Sequence, residues 1–425
     1  MTRSSDPVVL RHRHLEQIAM TALQAGVLLT ETGGKSLLVK EGMRKIAEGL
    51  GAEEVHARIG FASLAITVTH GENTITRMTG TGGHGVNMRL NHAIRDLCVE
   101  VEKGGQTAEQ VREALTRLKA GTPHHPRVVI ALAAGIACAA FGRLLGVDWA
   151  AFGPVLAAST AAQWVRVSLL RRGTNTFVLT ALVACLAASL AGLLAIPAGS
   201  HMIETAMTAA VLLLVPGVPA MNAQTDIMEG HPTTGSARFV TVGMILVFIT
   251  VGISAARLLV PALPDQIFEP QRSVLHQAIF GAVAAAGFGV LFNFGWVRLV
   301  WAAAAGALAL AVRTVGMDLG WSLEAASFAA AAAVALGVEI LSLPRLRVAR
   351  MGTALAVAGC IPMIPGGAAT QCIIGLLTLT AEDPATAAET LGMTASAGLR
   401  VAFTIGAIGA GLTIVRSLFR RSDFV

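Results

Sequence analysis

The sequence predicts a polytopic α-helical membrane protein with about ten transmembrane helices, arranged as two five-helix inverted repeats behind a small α+β N-terminal cytoplasmic domain. Three observations lead there. Hydrophobic residues make up 54% of the 425 residues and charged residues only 14%, with a mean hydropathy of +0.66, far from the balance of a soluble domain. All five lysines (Lys35, Lys40, Lys45, Lys103, Lys119) and eight of the eleven histidines precede residue 126, so two regions with different solvents follow one another. Two apolar segments, Val211–Asp226 (VLLLVPGVPAMNAQTD) and Ile361–Gln371 (IPMIPGGAATQ), are each interrupted by prolines and glycine. The domains expected are 1–126, then membrane repeats over 127–272 and 273–425.

In the first region, His14–Thr30 and Lys35–Leu50 carry helical apolar spacing around a Gly33-Gly34 stop, which predicts a helical hairpin. Val55–His70 and Asn73–Met78 are rich in β-branched residues and flank a turn, predicting two strands. Leu90–Lys103 and Thr107–Ala120 return to helix, the second opened by the capping-box spacing of Thr107 and Gln110. The glycine-rich run Thr79–Val86 could cradle phosphate, with His84 and Arg89 as ligand contacts. Its spacing matches neither phosphate-binding motif, and a plain loop fits better. His124-His125 between prolines reads as an exposed linker rather than a metal site, and Pro123–Arg127 as the boundary. The five cysteines form no C-x-x-C pair, so neither a metal nor any other cofactor is expected. The N-terminus lacks the apolar core of a cleaved signal, which keeps this domain on the cytoplasmic side.

Spans of about 17–25 apolar residues are expected near 128–145, 149–170, 175–196, 203–221, 236–260, 274–292, 296–313, 321–343, 350–378 and 386–417. Arginines at 171, 172, 345, 347, 350, 416, 420 and 421 then fall inside. The outer loops at 196–204 and 381–385 hold no Lys or Arg, although Arg143, Arg272 and Arg313 sit at other outer ends. Both termini are therefore expected inside the cell membrane. The net charge of +6 reflects this anchoring and not nucleic-acid binding.

Proline removes a backbone donor and clashes with the preceding turn, so each interrupted segment should be a broken helix. In lipid such a break is tolerated only when buried in protein or lining a wet cavity. Pro216 follows position 128 at nearly the distance at which Pro365 follows 274, so each break falls in the fourth of five spans. Thr234–Gly243 and Ser396–Gly406 then match around Arg238 and Arg400. Five is odd, which inverts the second half, and inverted repeats with paired broken helices are the architecture of alternating-access transporters.

Leu214–Arg238 (LVPGVPAMNAQTDIMEGHPTTGSAR), together with Pro362–Gly367 (PMIPGG), resembles the threonine/serine exporter family over nearly the whole chain, in the arrangement that fuses both halves. The resemblance implies proton-driven export of threonine and serine, while relatives split into two subunits are associated with dicarboxylate export. The doubled proline around Met363 departs from the family pattern and loosens the assignment of second-half residues.

A small amino-acid or carboxylate substrate needs polar partners in a low-dielectric site. Pro216, Gly217, Pro365 and Gly366 shape the breaks, and Asn222, Thr370 and Gln371 offer neutral hydrogen bonds beside them. Arg238 and Arg400 suit a carboxylate, although Arg238 also reads as a residue snorkelling to the interface. Asp226 is the first candidate for proton coupling and Glu339 the second, with Glu324 behind it; the bland role for Asp226 is to cap the broken helix. His201 and Glu204 border an outer loop and read as solvated. The expected partners are substrate, protons and the lipid bilayer, without nucleic acid, and the sequence leaves room for a homo-oligomer. The competing readings are a dicarboxylate exporter on the same scaffold, and a membrane-anchored enzyme or sensor acting through the N-terminal domain; the leading reading is not an enzyme.

Overall fold

The computed structural model describes residues 7–83, 85–170, 172–261, 265, 273–342, 353–379 and 384–419. His84, Arg171, Arg272, Arg345, Arg347, Arg350, Arg420 and Arg421, which carry part of the reading above, lie outside the described residues, as does the loop at 380–383. The chain divides into two compact units. The first takes in residues 1–124 and 222–239, and the second 125–221 and 240–421.

The first unit opens with the hairpin α1 (Pro7–Glu31) and α2 (Ser36–Gly49). Three strands follow, β1 (Glu54–Ile59), β2 (Ser63–His70) and β3 (Asn73–Gly80), in an antiparallel sheet of order β1-β2-β3 with Val68 opposite both Val55 and Ile75. The single strand expected over Val55–His70 is thus two. Gly60 donates its N–H to the Ser63 carbonyl at 2.9 Å, closing a turn that periodicity does not register. Helices α3 (Met88–Glu102) and α4 (Ala108–Gly121) complete the domain, and both hydrogen bonds of the Thr107–Gln110 capping box form. Leu64, Ile66 and Val68 of β2 are buried on one core with Ile18, Leu29, Met43, Ile94 and Leu115 of the four helices.

The second unit contains α5 (Arg127–Leu144), α6 (Trp149–Leu170), α7 (Thr176–Ala195), α8 (Ile203–Val211), the start of α9 (Gly217–Met228) and most of α10 (Pro232–Arg257). It continues with α11 (Val274–Leu291), α12 (Trp296–Asp318), α13 (Leu323–Leu341), α14 (Thr353–Cys360), α15 (Gly366–Leu379) and α16 (Pro384–Phe419). Seven of these, α5, α7, α10, α11, α12, α13 and α16, are long and apolar enough to cross a membrane. Two bent pairs, α8 with α9 and α14 with α15, raise the number among the described residues to as many as nine, against the ten expected. The missing one is α6, which has the length but is interrupted by Ser159, Thr160, Gln163 and Arg166.

Small residues set the helix spacing, as hydrocarbon offers no other route to close backbone approach. Gly281 of α11 and Gly306 of α12 face each other so closely that a Cβ on Gly306 would lie 2.5 Å from the Gly281 carbonyl oxygen. Helices α5 and α11 run antiparallel. His125, just before α5, bonds the Phe294 carbonyl, just past α11, at 2.8 Å, and at the opposite ends Arg143 of α5 lies near His276 of α11. Two further crossings match one another. A Cβ on Gly252 of α10 would meet the Ala181 carbonyl and Ala184 Cβ of α7, and one on Gly411 of α16 would meet the Phe328 carbonyl and Ala331 Cβ of α13.

Candidate functional site

The two proline breaks have the same backbone. Helix α8 tightens into a 3₁₀ turn at Leu212–Leu214 and α14 into one at Ile361–Met363. Val215 (φ −64°, ψ 122°) and Ile364 (φ −66°, ψ 126°) are extended, as a residue before proline must be. Gly217 donates to the Val215 carbonyl and Gly366 to the Ile364 carbonyl, both at 2.8 Å. The chain then bends by 59° at the first break and 54° at the second. Each bend frees the N-terminal amides of a new helix, α9 or α15, which makes the turn locally electropositive.

These breaks meet inside the second unit. A Cβ on Gly217 would lie 2.9 Å from Ile364 Cδ1, and one on Gly366 would lie 3.0 Å from Leu212 Cδ2, so each glycine accepts a side chain of the other break. A small cavity, apolar in its lining, lies between Leu212, Val215, Gly217, Ile361, Ile364 and Gly366, with Phe141 and Phe288 closing it. Pro216, Gly217, Pro365 and Gly366 are therefore brought together. Thr370 is buried and donates to the Gly366 carbonyl at 3.1 Å within its own helix, whereas Gln371 and Arg400 are exposed and Glu339 is half-buried.

Sequence reasoning missed Arg313. The span expected to stop at 313 runs on to Asp318, so this arginine stands within α12, where its Nη1 donates to the Met363 carbonyl of the second break at 3.3 Å. A span edge drawn at the first charge hides it, and the signal that finds it is a helix that remains periodic past that charge.

Asn222, Asp226 and Arg238 belong to the first unit and meet the turn between α1 and α2. Helix α2 has no side-chain cap of its own. The fully buried Asp226 supplies one, accepting the Ser36 N–H at 2.8 Å, while its second oxygen lies 3.3 Å from Arg238 Nε. A carboxylate at a helix N-terminus is favoured by the orphan amides and the dipole. Arg238 Nη2 donates to the Gly34 carbonyl and Asn222 Nδ2 to the Gly33 carbonyl, each at 2.9 Å. Thr234 donates to the Ile59 carbonyl at 3.1 Å, and Lys35 pairs with Glu229. Gly33 permits the turn through its φ of +93°. Lys35, Ser36 and Glu229 were also missed, although a lysine beside a glycine pair is a signal that some acid must meet it when the turn is buried.

The other sequence candidates fall elsewhere. Gly85, in the glycine-rich run, donates to the Glu31 carbonyl, and a Cβ on Gly82 would collide with Glu31, so that run packs on the end of α1. His124 lies 3.2 Å from the Asn87 amide, and His125 sits edge-on to Trp296. Arg89 is half-buried on α3, while Glu204 pairs with Arg257. Among the described residues, no group of three His, Cys, Asp or Glu could hold a metal ion.

Residues 20–260 match the family model described as putative threonine/serine exporter, and residues 277–418 match a second, described as threonine/serine exporter, ThrE. The chain belongs to the threonine/serine exporter family. Its apolar helices and this membership make it a multi-pass membrane protein of a transporter family. Among curated relatives of this exporter-family protein are the probable succinate transporter subunits YjjP of Klebsiella aerogenes and of Escherichia coli strain K12. Each is 29% identical over 244 residues, which is 57% of this chain and 94% of the relative. An uncharacterized protein of Haemophilus influenzae is 23% identical over 140 residues, 33% of this chain and 46% of that protein. No solved structure matches.

Proposed function

We propose that the protein is a secondary active exporter of small polar amino acids, threonine and serine foremost, driven by proton antiport through alternating access. The observation that carries this reading is the pair of breaks with the same backbone, packed face to face. In alternating access a site between two related halves opens first to one side and then to the other, and broken helices are its usual frame. The antiparallel course of α5 and α11 and the matching glycine crossings support two inverted five-helix halves, with α6 as the tenth span despite its polar residues. Such a layout sets the protein in the cell membrane with both termini inside.

In this reading Pro216, Gly217, Pro365 and Gly366 frame the path, and Thr370, Gln371 and Arg400 are polar groups of the second half along it. Asp226 couples the proton, with Glu339 as the second carrier. Protonating Asp226 would remove the charge that holds Arg238 and caps α2, and so would loosen the 222–239 segment together with Asn222. A dicarboxylate is the second reading, favoured by the relatives named as probable succinate transporter subunits.

Uptake of labelled threonine, serine and succinate into everted vesicles, with and without a pH gradient, tests both. Gradient-dependent threonine or serine uptake is expected, and Asp226→Asn should abolish the dependence on the gradient. Movement of succinate alone would replace the first reading by the second, and no gradient-dependent movement of any of the three would sink both.

A further inference from the structure

The cavity between the breaks is lined by matching residues of the two halves. Counted from Pro216 and Pro365, the lining residues Leu212, Val215 and Gly217 correspond to Ile361, Ile364 and Gly366. Phe141 and Phe288, which complete the lining, correspond too. Each begins a stretch of one pattern, FGRLLGVDW over 141–149 and FGVLFNFGW over 288–296. Those stretches turn alike: the amides of Leu145 and Val147 donate to the carbonyls of Phe141 and Gly142, and those of Phe292 and Phe294 to the carbonyls of Phe288 and Gly289. Gly146 (φ +96°) and Asn293 (φ +58°) then close the two helix ends in the left-handed region. The two phenylalanine rings meet edge to face, with centroids 6.0 Å apart.

The chemistry of this cavity excludes charge. No lining side chain carries a polar atom, and the amides of Val215, Gly217, Ile364 and Gly366 all donate within their own turns. Its volume, about 20 Å³, little exceeds the roughly 10–15 Å³ that one water requires. An amino acid or a dicarboxylate does not fit, and a water would meet no polar side chain. Apolar cavities of this kind stay dry, and a proton or ion entering one without a partner is strongly disfavoured. The walls also interlock. A Cβ on Gly217 would lie 2.9 Å from Ile364 Cδ1, and one on Gly366 would lie 3.5 Å from Val215 Cγ1, which is the same contact made once from each half. Neither break can move away without withdrawing a side chain from the glycine of the other. Phe141, Phe288 and Ile364 are buried and Val215 half-buried, so the closure is tightest on the side of the second break.

We propose that the two breaks, together with Phe141 and Phe288, form a dry hydrophobic gate with one leaf from each half, which bars protons and ions when no solute is in passage. This rests on the exporter reading, whose path the gate closes, and gives that reading its seal: a proton gradient drives export only if protons cannot cross alone. Hydrophobic constrictions gate other pores by the same exclusion of water.

The test uses the full-length protein in proteoliposomes loaded with a pH-sensitive dye. Given an imposed pH gradient and no solute, the wild type should hold the gradient. Val215→Thr and Ile364→Thr bring a hydroxyl into the cavity with little change of volume, and each should speed the decay by about tenfold, the scale on which a hydroxyl in place of a methyl wets a dry site. Ile364→Val, which keeps the wall apolar, and Val300→Thr, at an exposed position of α12, should hold the gradient as the wild type does. Ile364→Cys gives a second measurement that needs no hydroxyl. A charged methanethiosulfonate should modify it far more slowly than Arg112→Cys on the exposed face of α4. Wild-type decay in both threonine variants at wild-type melting temperature, or Ile364→Cys modified as fast as Arg112→Cys, would overturn the gate and leave the exporter reading standing. If the wild type moves none of threonine, serine and succinate, the exporter reading falls, while the leak and the labelling still decide the gate.

Discussion

Lys35 and Glu229 illustrate how a buried ion pair acts at the scale of single residues. Their side chains are 8% and 16% exposed, so removing one leaves the other charged in a poor solvent. Replacing one partner of such a pair costs about 3–5 kcal/mol, whereas replacing both with apolar groups of similar size is often nearly neutral. Lys35→Met should accordingly lower the unfolding midpoint of the first unit, and Lys35→Met combined with Glu229→Met should recover most of the loss. Equal midpoints for the single and double variants would show that the pair does not act as one. Cys98 on α3 gives a pH dependence. Complete burial pushes its thiol up from the ordinary 9.0 to about 12, because the thiolate cannot be hydrated there. The neutral thiol is favoured by folding, so this contribution is whole below pH 9 and is lost as pH rises from 9 toward 12. Denaturant unfolding of the wild type should weaken above pH 9 by more than that of Cys98→Ala, and parallel pH profiles would count against this burial.

Helices α7 and α10 in one half, and α13 and α16 in the other, cross at a glycine where the backbones nearly touch. A Cβ on Gly252 would lie 2.4 Å from the Ala181 carbonyl oxygen, and one on Gly411 would lie 2.6 Å from that of Phe328, so the backbones must part. Overpacking of this kind costs about 1–3 kcal/mol. Gly252→Ala and Gly411→Ala should each lower the melting temperature in detergent, while Gly243→Ala, with open space around it, should leave it unchanged or raise it slightly. The same crossings show why segments rich in small residues were legible as packed helices: alanine and glycine leave nothing to fill the space except another backbone.

Across the whole molecule, what could be read from sequence was whatever chemistry writes locally. Apolar runs located α5 and α7 to within a residue or two, the Thr107–Gln110 spacing located the start of α4, and proline with glycine located both bends. Pairings between distant residues were not legible. Nothing near Asp226 signals that its partner amide is Ser36, since hydrophobic periodicity carries no information across that separation, and a polar residue beside a broken helix reads equally as ligand or cap. Arg313 was obscured because hydropathy treats a charge as the end of a span. The discontinuous make-up of the first unit also bears on how the protein is made. Its N-terminal 124 residues leave the ribosome well before residues 222–239, with roughly a hundred residues of the second unit synthesised in between. At about 5–20 residues per second, α2 waits on the order of ten to forty seconds for the aspartate that caps it, 190 residues further along the chain. During that interval the nascent N-terminal unit is incomplete while helices α5 to α8 are being made, and its final assembly reports that synthesis has passed the start of α10.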